Sequence, residues 1–546
     1  FFGARKMFRK LSVTNTTLLV ILIALVLGLL FRFSHINKPY THDEAYTSLR
    51  ISGYPLQTLL EQEFDMDGEI LTVQDLQVYQ TVNPDKTLID TIAGLADEEP
   101  QLPPLYFILA KLWAQIFGSS IISVRNLSVF ISLLSMLAFY RLCQDLFEAP
   151  QVKWFGLALM AVSPFQVLYA HNARPYGLEM LLLLVASVSL LKAIRVNTWK
   201  TWLIYTLAVT AGLYTHLFFI FVVAAHGLYL LIIERFRWGN RCLGYLFSLA
   251  SSCVMFAPWL VILGLNVATA QKMTASATAS VSVTTLVRSW LRIVGYTFLD
   301  LNFEPYFVSF QHLSLRLNLL LIPGVILLIA YALFVLVKEA PKPAIFVITL
   351  IGVSTLPLMG ADLFLGSKLS VRARYLIPLY PGLHLAVAYL LATRLSGRAP
   401  IGRRVAKAAF ALVLTCGVVS CTLISVASGW WHTDGLLPHQ IAAIVNDSER
   451  PLVIANNDML NVGDILALSH ELDNNVTLQL VSLNGMPTVP SGFQDIFLFP
   501  CKAEFRAEIA QGQSFAIEPV PELGKYEESL FRLKAAEPLS PLSPDD

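Results

Sequence analysis

The sequence predicts a polytopic α-helical membrane protein that ends in a small α/β domain, and three observations carry that expectation. Hydrophobic residues make up 55% of the chain and charged residues only 14%, with a mean hydropathy of +0.61; soluble domains rarely have this balance. About eleven apolar runs are long enough to cross a bilayer. Beyond Trp430 the pattern changes to short apolar segments separated by polar turns, the alternation of a small α/β domain.

The runs lie near 17–33, 124–142, 153–170, 176–194, 200–215, 217–234, 241–263, 318–337, 343–360, 374–393 and 404–427. The stretch 200–234 is too long for one span, and Thr215-His216 divides it. Lys and Arg cluster before the first span, at Lys192 and Arg195, at Arg235, Arg237 and Arg241, at Lys338 and Lys342, and from Arg394 to Lys407. By the positive-inside rule these ends are cytoplasmic. The opposite side then receives 35–123, the Ala170–Pro175 turn, Thr215-His216, 264–317, 361–373 and everything after 428. Pro103–Phe117 is apolar, but a span there would invert all that follows. It is read as a helix lying in or dipping into the outer interface, started by Gln101-Leu102-Pro103-Pro104; the alternative is a true span, with another weak run failing to cross.

The domain reading is a membrane domain over 1–430, with 35–123 as its first extracytoplasmic loop, and an extracytoplasmic α/β domain over 431–546. In the latter, Pro451–Ala455, Val476–Val481, Asp495–Phe499 and Glu528–Leu533 read as strands. Val462–Leu472 and Phe505–Ile509 read as helices, and the last six residues as a disordered tail. The loop 264–317 contains an amphipathic helix with Leu286, Trp290, Ile293 and Val294 on one face and Arg288 and Arg292 on another, lying either on the lipid surface or against the bundle. Acids crowd 35–100 and read mostly as solvated surface.

Several classes are excluded. A net charge of +1 argues against nucleic acid. Six scattered cysteines show neither zinc spacing nor a disulfide framework, and Cys501 reads as a free thiol. The α/β domain carries no phosphate-binding glycine fingerprint and is assigned no cofactor, and none is expected for the chain. Basic residues precede the first span without a small-residue cleavage site, which predicts a retained anchor.

The chemistry centres on Thr41-His42-Asp43-Glu44-Ala45-Tyr46, just past the first span. A charge at the hydrocarbon centre costs roughly 2.5–3.5 kcal/mol, but at the water-facing edge a carboxylate can ionise and meet a polar substrate. Topology sets other polar residues on the same side: His171 to Tyr176, Thr215-His216, and Lys368 through Tyr375, with Arg125 opening the second span. The planar donor fork of arginine suits phosphate oxygens. Arginines at the membrane edge suit a phosphate whose lipid tail stays in the bilayer, while a carboxylate takes the proton of an attacking hydroxyl. A phosphate leaving group needs no second acid, unlike the paired carboxylates of glycosidases.

In order and spacing, these residues resemble the GT-C membrane glycosyltransferases, the clan of the protein O-mannosyltransferases and lipid A aminoarabinose transferases. The carrying pieces are Asp43-Glu44, Leu102-Pro103-Pro104-Leu105-Tyr106, Phe117-Gly118 with Arg125, Ser163-Pro164 leading to Ala173-Arg174-Pro175-Tyr176, Thr215-His216, and Arg374-Tyr375. They run from about residue 15 to 430. The resemblance implies a hexosyl- or pentosyltransferase that uses a polyprenyl-phosphate sugar, with an extracytoplasmic site and inversion at the sugar carbon. It implies Asp43 as base and Glu44 as orienter of the acceptor or the first loop. Arg174, Lys368, Arg372 and Arg374 become candidates for donor phosphate, and His42, Tyr106, Tyr176, His216 and Tyr375 for the substrate pocket. Arg372 and Arg374 alternate around Ala373, so at most one is expected to face the pocket, and Arg125 reads as a structural anchor. No metal ligands have convincing spacing, and metal dependence stays open. The expected partners are the donor, membrane lipids and a hydroxyl acceptor of unspecified class, in a bacterial inner membrane. A transporter or flippase of lipid-linked sugars is the alternative; it predicts paired broken helices or midplane charges, and neither is seen.

Overall fold

The computed structural model describes residues 15–64, 68–275, 280–302, 311–397, 399–427, 430, 438–482, 485–489, 491–499, 503–512 and 515–535. The basic N-terminal residues, Asp65, Asp67, Arg398, Cys501 and the final Pro-Leu-Ser-Pro-Asp-Asp lie outside them. The chain divides into two compact units. One comprises Phe1–Ile36, Leu95–Trp113 and Ile122–Trp430; the other comprises Asn37–Gly94, Ala114–Ile121 and Trp431–Asp546.

In the first unit every expected apolar run is largely helical. Among the described residues seven helices are long and apolar enough to cross a membrane: Asn15–Phe33, Ile121–Leu146, Tyr176–Val196, Asn240–Leu265, the apolar part of Gln311–Glu339, Pro341–Phe364 and Pro400–Val426. An eighth crossing is formed if Val152–Ala161 and Pro164–Ala170, bent by 56°, count as one. The remaining runs form Trp199–Leu213, Phe219–Ile233 and Leu379–Leu395, of 15, 15 and 17 residues. At 1.5 Å per residue they are shorter than a hydrocarbon core of about 30 Å. Leu105–Phe117 has 13 residues, about 20 Å, and is too short to cross. Exposed Leu18, Leu22, Leu319, Leu327, Leu356 and Leu412 give the unit an apolar outside, as lipid contact requires.

The Val283–Gly295 helix buries Leu286 and Ile293 and exposes Val287, Leu291, Arg288 and Arg292. Its expected apolar face therefore packs inward, against Gln311–Glu339.

The second unit is built on a six-stranded sheet. Its strands are β1 Ile70–Thr72, β2 Pro451–Asn456, β3 Thr477–Val481, β4 Asp495–Leu498, β5 Phe515–Pro519 and β6 Phe531–Ala535, in the order β1-β3-β2-β4-β6-β5. The centre β3-β2-β4 is parallel and the outer strands pair antiparallel. The four strands expected from the pattern are present, the last shifted to Phe531–Ala535. β1 and β5, with their exposed residues, carry too little apolar signal to be seen beforehand. The edge strand β1 comes from the first loop, so that loop and the tail share one core. Tyr40, Leu49, Leu59 and Leu76 pack with Val453, Leu466, Leu478 and Phe497 on one sheet face, and Phe505, Ile509 and Leu533 cover the other.

Shared burial makes a prediction. Leu49→Ala is expected to cost about 2–5 kcal/mol and to make both 37–94 and the tail protease-sensitive at the same denaturant concentration. Separate transitions, read by limited proteolysis, would contradict a common core.

Candidate active site

Three helix breaks in the membrane unit supply its polar residues. The turn 171–175 precedes Tyr176–Val196; in it the Arg174 amide donates to Asn172 O at 2.9 Å, and Pro175 is the N-cap. Thr215 and His216 separate two short helices, and both their amides donate to Gly212 O at 3.0 Å. The third break is a 3₁₀ turn, Ala373–Tyr375, ahead of Leu379–Leu395.

These breaks, remote in sequence, meet in space. The His216 ring lies 6.2 Å from Tyr176 and 6.1 Å from Tyr375. The Arg374 guanidinium sits 5.7 Å from the ring centres of both Tyr176 and Tyr375. Arg372 lies 5.8 Å from Tyr375, and its Nη1 donates to the tyrosine hydroxyl at 3.3 Å. The expectation that only one of Arg372 and Arg374 faces the cluster thus fails. Alternation belongs to an extended chain, whereas a 3₁₀ turn winds with about three residues per turn, and both arginines reach the same ring.

Arg174 is buried, near enough to act on His216. Burial first, then the charges of Arg374 and Arg174, hold the imidazole down at about 4, so it is neutral at pH 7. Its Nδ1 accepts the Phe218 amide at 3.3 Å, which marks that nitrogen as unprotonated. Glu179 Oε2 lies 3.4 Å from the same nitrogen, and with a neutral imidazole this contact is not an ion pair. That buried oxygen has no hydrogen-bond partner among the described residues. Glu179 escaped the sequence reading, although an acid in the first turn of an apolar helix was the available signal.

Lys368 is half-buried in the loop before the 3₁₀ turn; among the described residues its side chain forms no hydrogen bond or ion pair. Tyr106 is fully buried, 5.7 Å from Phe107, with its hydroxyl 3.5 Å from Ser128 Oγ. With no open surface, it has none to offer a sugar in this conformation. Arg125 donates to Ile36 O at 2.9 Å, an anchor as expected.

The second unit positions the acidic stretch. His42–Ser52 is a helix with Thr41 as N-cap and a capping box: Glu44 N donates to Thr41 Oγ1 at 3.3 Å, and Glu44 Oε2 accepts Thr41 N and Oγ1 at 3.2 and 3.0 Å. Glu44 is completely buried. Its carboxylate orients the helix start. Asp43 is half-buried, in the first turn, where the positive helix end favours its negative charge. His42 Nδ1 is 3.0 Å from Asp464 Oδ1, and its ring is 5.1 Å from Tyr46. A Cβ on Gly463 would come within 2.5 Å of the imidazole, so the Met459–Leu468 helix holds His42 at both its acid and its glycine. Among the described residues no group of three or more His, Cys, Asp or Glu side chains is arranged to hold a metal.

Residues 101–262 match the family model described as dolichyl-phosphate-mannose-protein mannosyltransferase, less than a third of the chain. Among solved structures, ArnT from Cupriavidus metallidurans bound to undecaprenyl phosphate is similar at 14% identity, covering 96% of this chain and 100% of that one with a TM-score of 0.50; the likeness is one of fold. Its apo form gives 14%, 96%, 99% and 0.48. The oligosaccharyltransferase AglB from Archaeoglobus fulgidus, in complex with an inhibitory peptide and a dolichol-phosphate, gives 11%, 97%, 75% and 0.48. No curated protein matches.

Two predictions follow from this geometry. His216 has a folded-state pKa below its unfolded value, so stability is full above about pH 6.5 and falls as the pH drops toward 4, by about 3 kcal/mol. Thermal unfolding in detergent at stepped pH should show this loss, and His216→Gln should flatten it. Gly463→Val should displace His42 and lower whatever activity Asp43 supports; unchanged activity would separate the glycine from the site. Over residues 101–262 the chain thus resembles the dolichyl-phosphate-mannose-protein mannosyltransferases, and in fold it resembles ArnT.

Proposed function

We propose that this protein transfers a monosaccharide from a polyprenyl-phosphate donor to a hydroxyl acceptor on the extracytoplasmic side of a bacterial inner membrane. The observation that carries this reading is the pair Arg174 and Arg374, gathered with Tyr176, His216 and Tyr375 at helix breaks of the membrane unit. Two guanidiniums beside a neutral imidazole suit a phosphate held at the bilayer edge. Undecaprenyl phosphate, the molecule bound in the similar ArnT structure, has that chemistry. The distribution of Lys and Arg among the connectors supports the side.

In the proposed reaction, Asp43 accepts the proton of the acceptor hydroxyl as its oxygen forms a bond to the anomeric carbon. The bond from that carbon to the phosphate oxygen breaks on the opposite face, so the configuration inverts. The pair of electrons leaves with polyprenyl phosphate, whose growing charge the arginines offset. Arg372 and Lys368 belong to the same phosphate-binding segment, and Tyr176, Tyr375 and His216 face the donor. His42 and Glu44 hold the base in place.

Asp43→Asn should keep the fold and the binding of undecaprenyl phosphate while lowering transfer from a pool of polyprenyl-phosphate sugars by about 10²–10⁴-fold. Arg174→Ala and Arg374→Ala should weaken binding itself. Normal transfer by Asp43→Asn would remove the base from this scheme.

A further inference from the structure

The loop that carries Lys368 and Arg372 contains residues with no regular partner strand or helix, yet it is tightly held. Asp362, two residues before the end of Pro341–Phe364 and only 4% exposed, accepts four hydrogen bonds from it. Oδ1 takes the Leu369 amide at 2.8 Å and the Ser367 hydroxyl. Oδ2 takes the Ser370 amide at 2.7 Å and the Ser370 hydroxyl at 2.5 Å. The order continues along the backbone: Arg372 N donates to Leu369 O at 3.2 Å, and Tyr375 N to Arg372 O at 2.9 Å. The junction is braced from a second side by the amphipathic helix, whose Trp290 Nε1 donates to Ser370 Oγ at 2.7 Å.

We propose that Asp362 is the positioning residue of the donor-phosphate site: it fixes the loop from Ser367 to Ser370, and through it the turn that presents Arg372 and Arg374 to the phosphate, while Trp290 ties that loop to the helix bearing Arg288 and Arg292. This inference rests on the phosphate reading given above. The physical reason is pre-organisation. Two arginines bind an anion well only if their geometry is set before it arrives. A buried carboxylate whose oxygens each accept two donors is a stiff anchor for a short loop. Without it, two amides and two hydroxyls lose their acceptor, and the loop must reorganise to find water or each other.

The test is binding of undecaprenyl phosphate to the full-length chain in detergent, for the wild type and for Asp362→Ala, Asp362→Asn, Asp362→Glu, Ser370→Ala and Arg374→Ala. Asp362→Ala is expected to weaken binding about tenfold or more. Asp362→Glu keeps both acceptor oxygens and should recover most of the affinity. Asp362→Asn turns an amide nitrogen toward donors and should not. That order of rescue is what a merely space-filling role would not produce. If Asp362→Ala fails to fold, Ser370→Ala, which removes the link to Trp290, must still weaken binding measurably. Wild-type affinity in Asp362→Ala or in Ser370→Ala, with Arg374→Ala impaired, overturns the positioning role alone. No binding by the wild type, or full binding by Arg374→Ala, overturns the phosphate reading on which it rests.

Discussion

In a hydrocarbon solvent, every backbone N–H and C=O must find a partner inside the protein. The membrane unit departs from continuous helix only where it can meet that demand. The bend at Val162–Ser163 shows how. Arg32, completely buried, donates to the carbonyls of Ala161 at 2.7 Å and Met160 at 3.3 Å. Cys421 Sγ donates to Val162 O, and Ser163 Oγ to Thr297 O at 2.9 Å. Gly28 and Gly417 let two neighbouring helices approach so closely that a Cβ on either would overlap the backbone oxygen of Ala161 or Val162. A guanidinium inside an apolar bundle is costly; here it replaces the partners that a straight helix would have supplied.

The same demand shapes the candidate site. At the breaks near residues 171–175, 215–216 and 372–375, the helical ladder stops and polar side chains become affordable. Glycine and proline alone do not explain the arrangement. Leu105 N closes the second break from another helix by donating to Tyr214 O at 3.0 Å, and Asp362 closes the third. Cation–π attraction to Tyr176 and Tyr375, at 5.7–5.8 Å from the ring centres, helps hold Arg372 and Arg374 at this break.

The second unit solves a different problem. A helix beginning at His42 exposes orphan amides, and Thr41 and Glu44 take up that role, so two of the most suggestive residues in the opening stretch serve the fold. The tail is drawn into the same task. β1 of the first loop is an edge strand on β3 of the tail, and Asp464 and Gly463 hold His42. A domain that composition sets apart at residue 430 is therefore completed by residues nearly 400 positions earlier.

What the sequence determined by itself is whatever follows from one-dimensional pattern. That includes the apolar helices, the interruption at Thr215-His216, the change after Trp430, the central strands β2, β3 and β4, and an order of polar pieces that resembles the GT-C membrane glycosyltransferases. Apolar length and periodicity are local properties, and burial reads them directly. Only the tertiary structure decided that Arg174, His216 and Arg374 form one cluster, that Arg372 joins it, that Glu179 and Asp362 belong to its surroundings, and that Glu44 caps a helix. It also decided that Tyr106 is sealed and that the first loop completes the tail's sheet. Those outcomes depend on which helix breaks meet and how each turn winds, and contacts across hundreds of residues leave no trace in the local hydrophobic pattern.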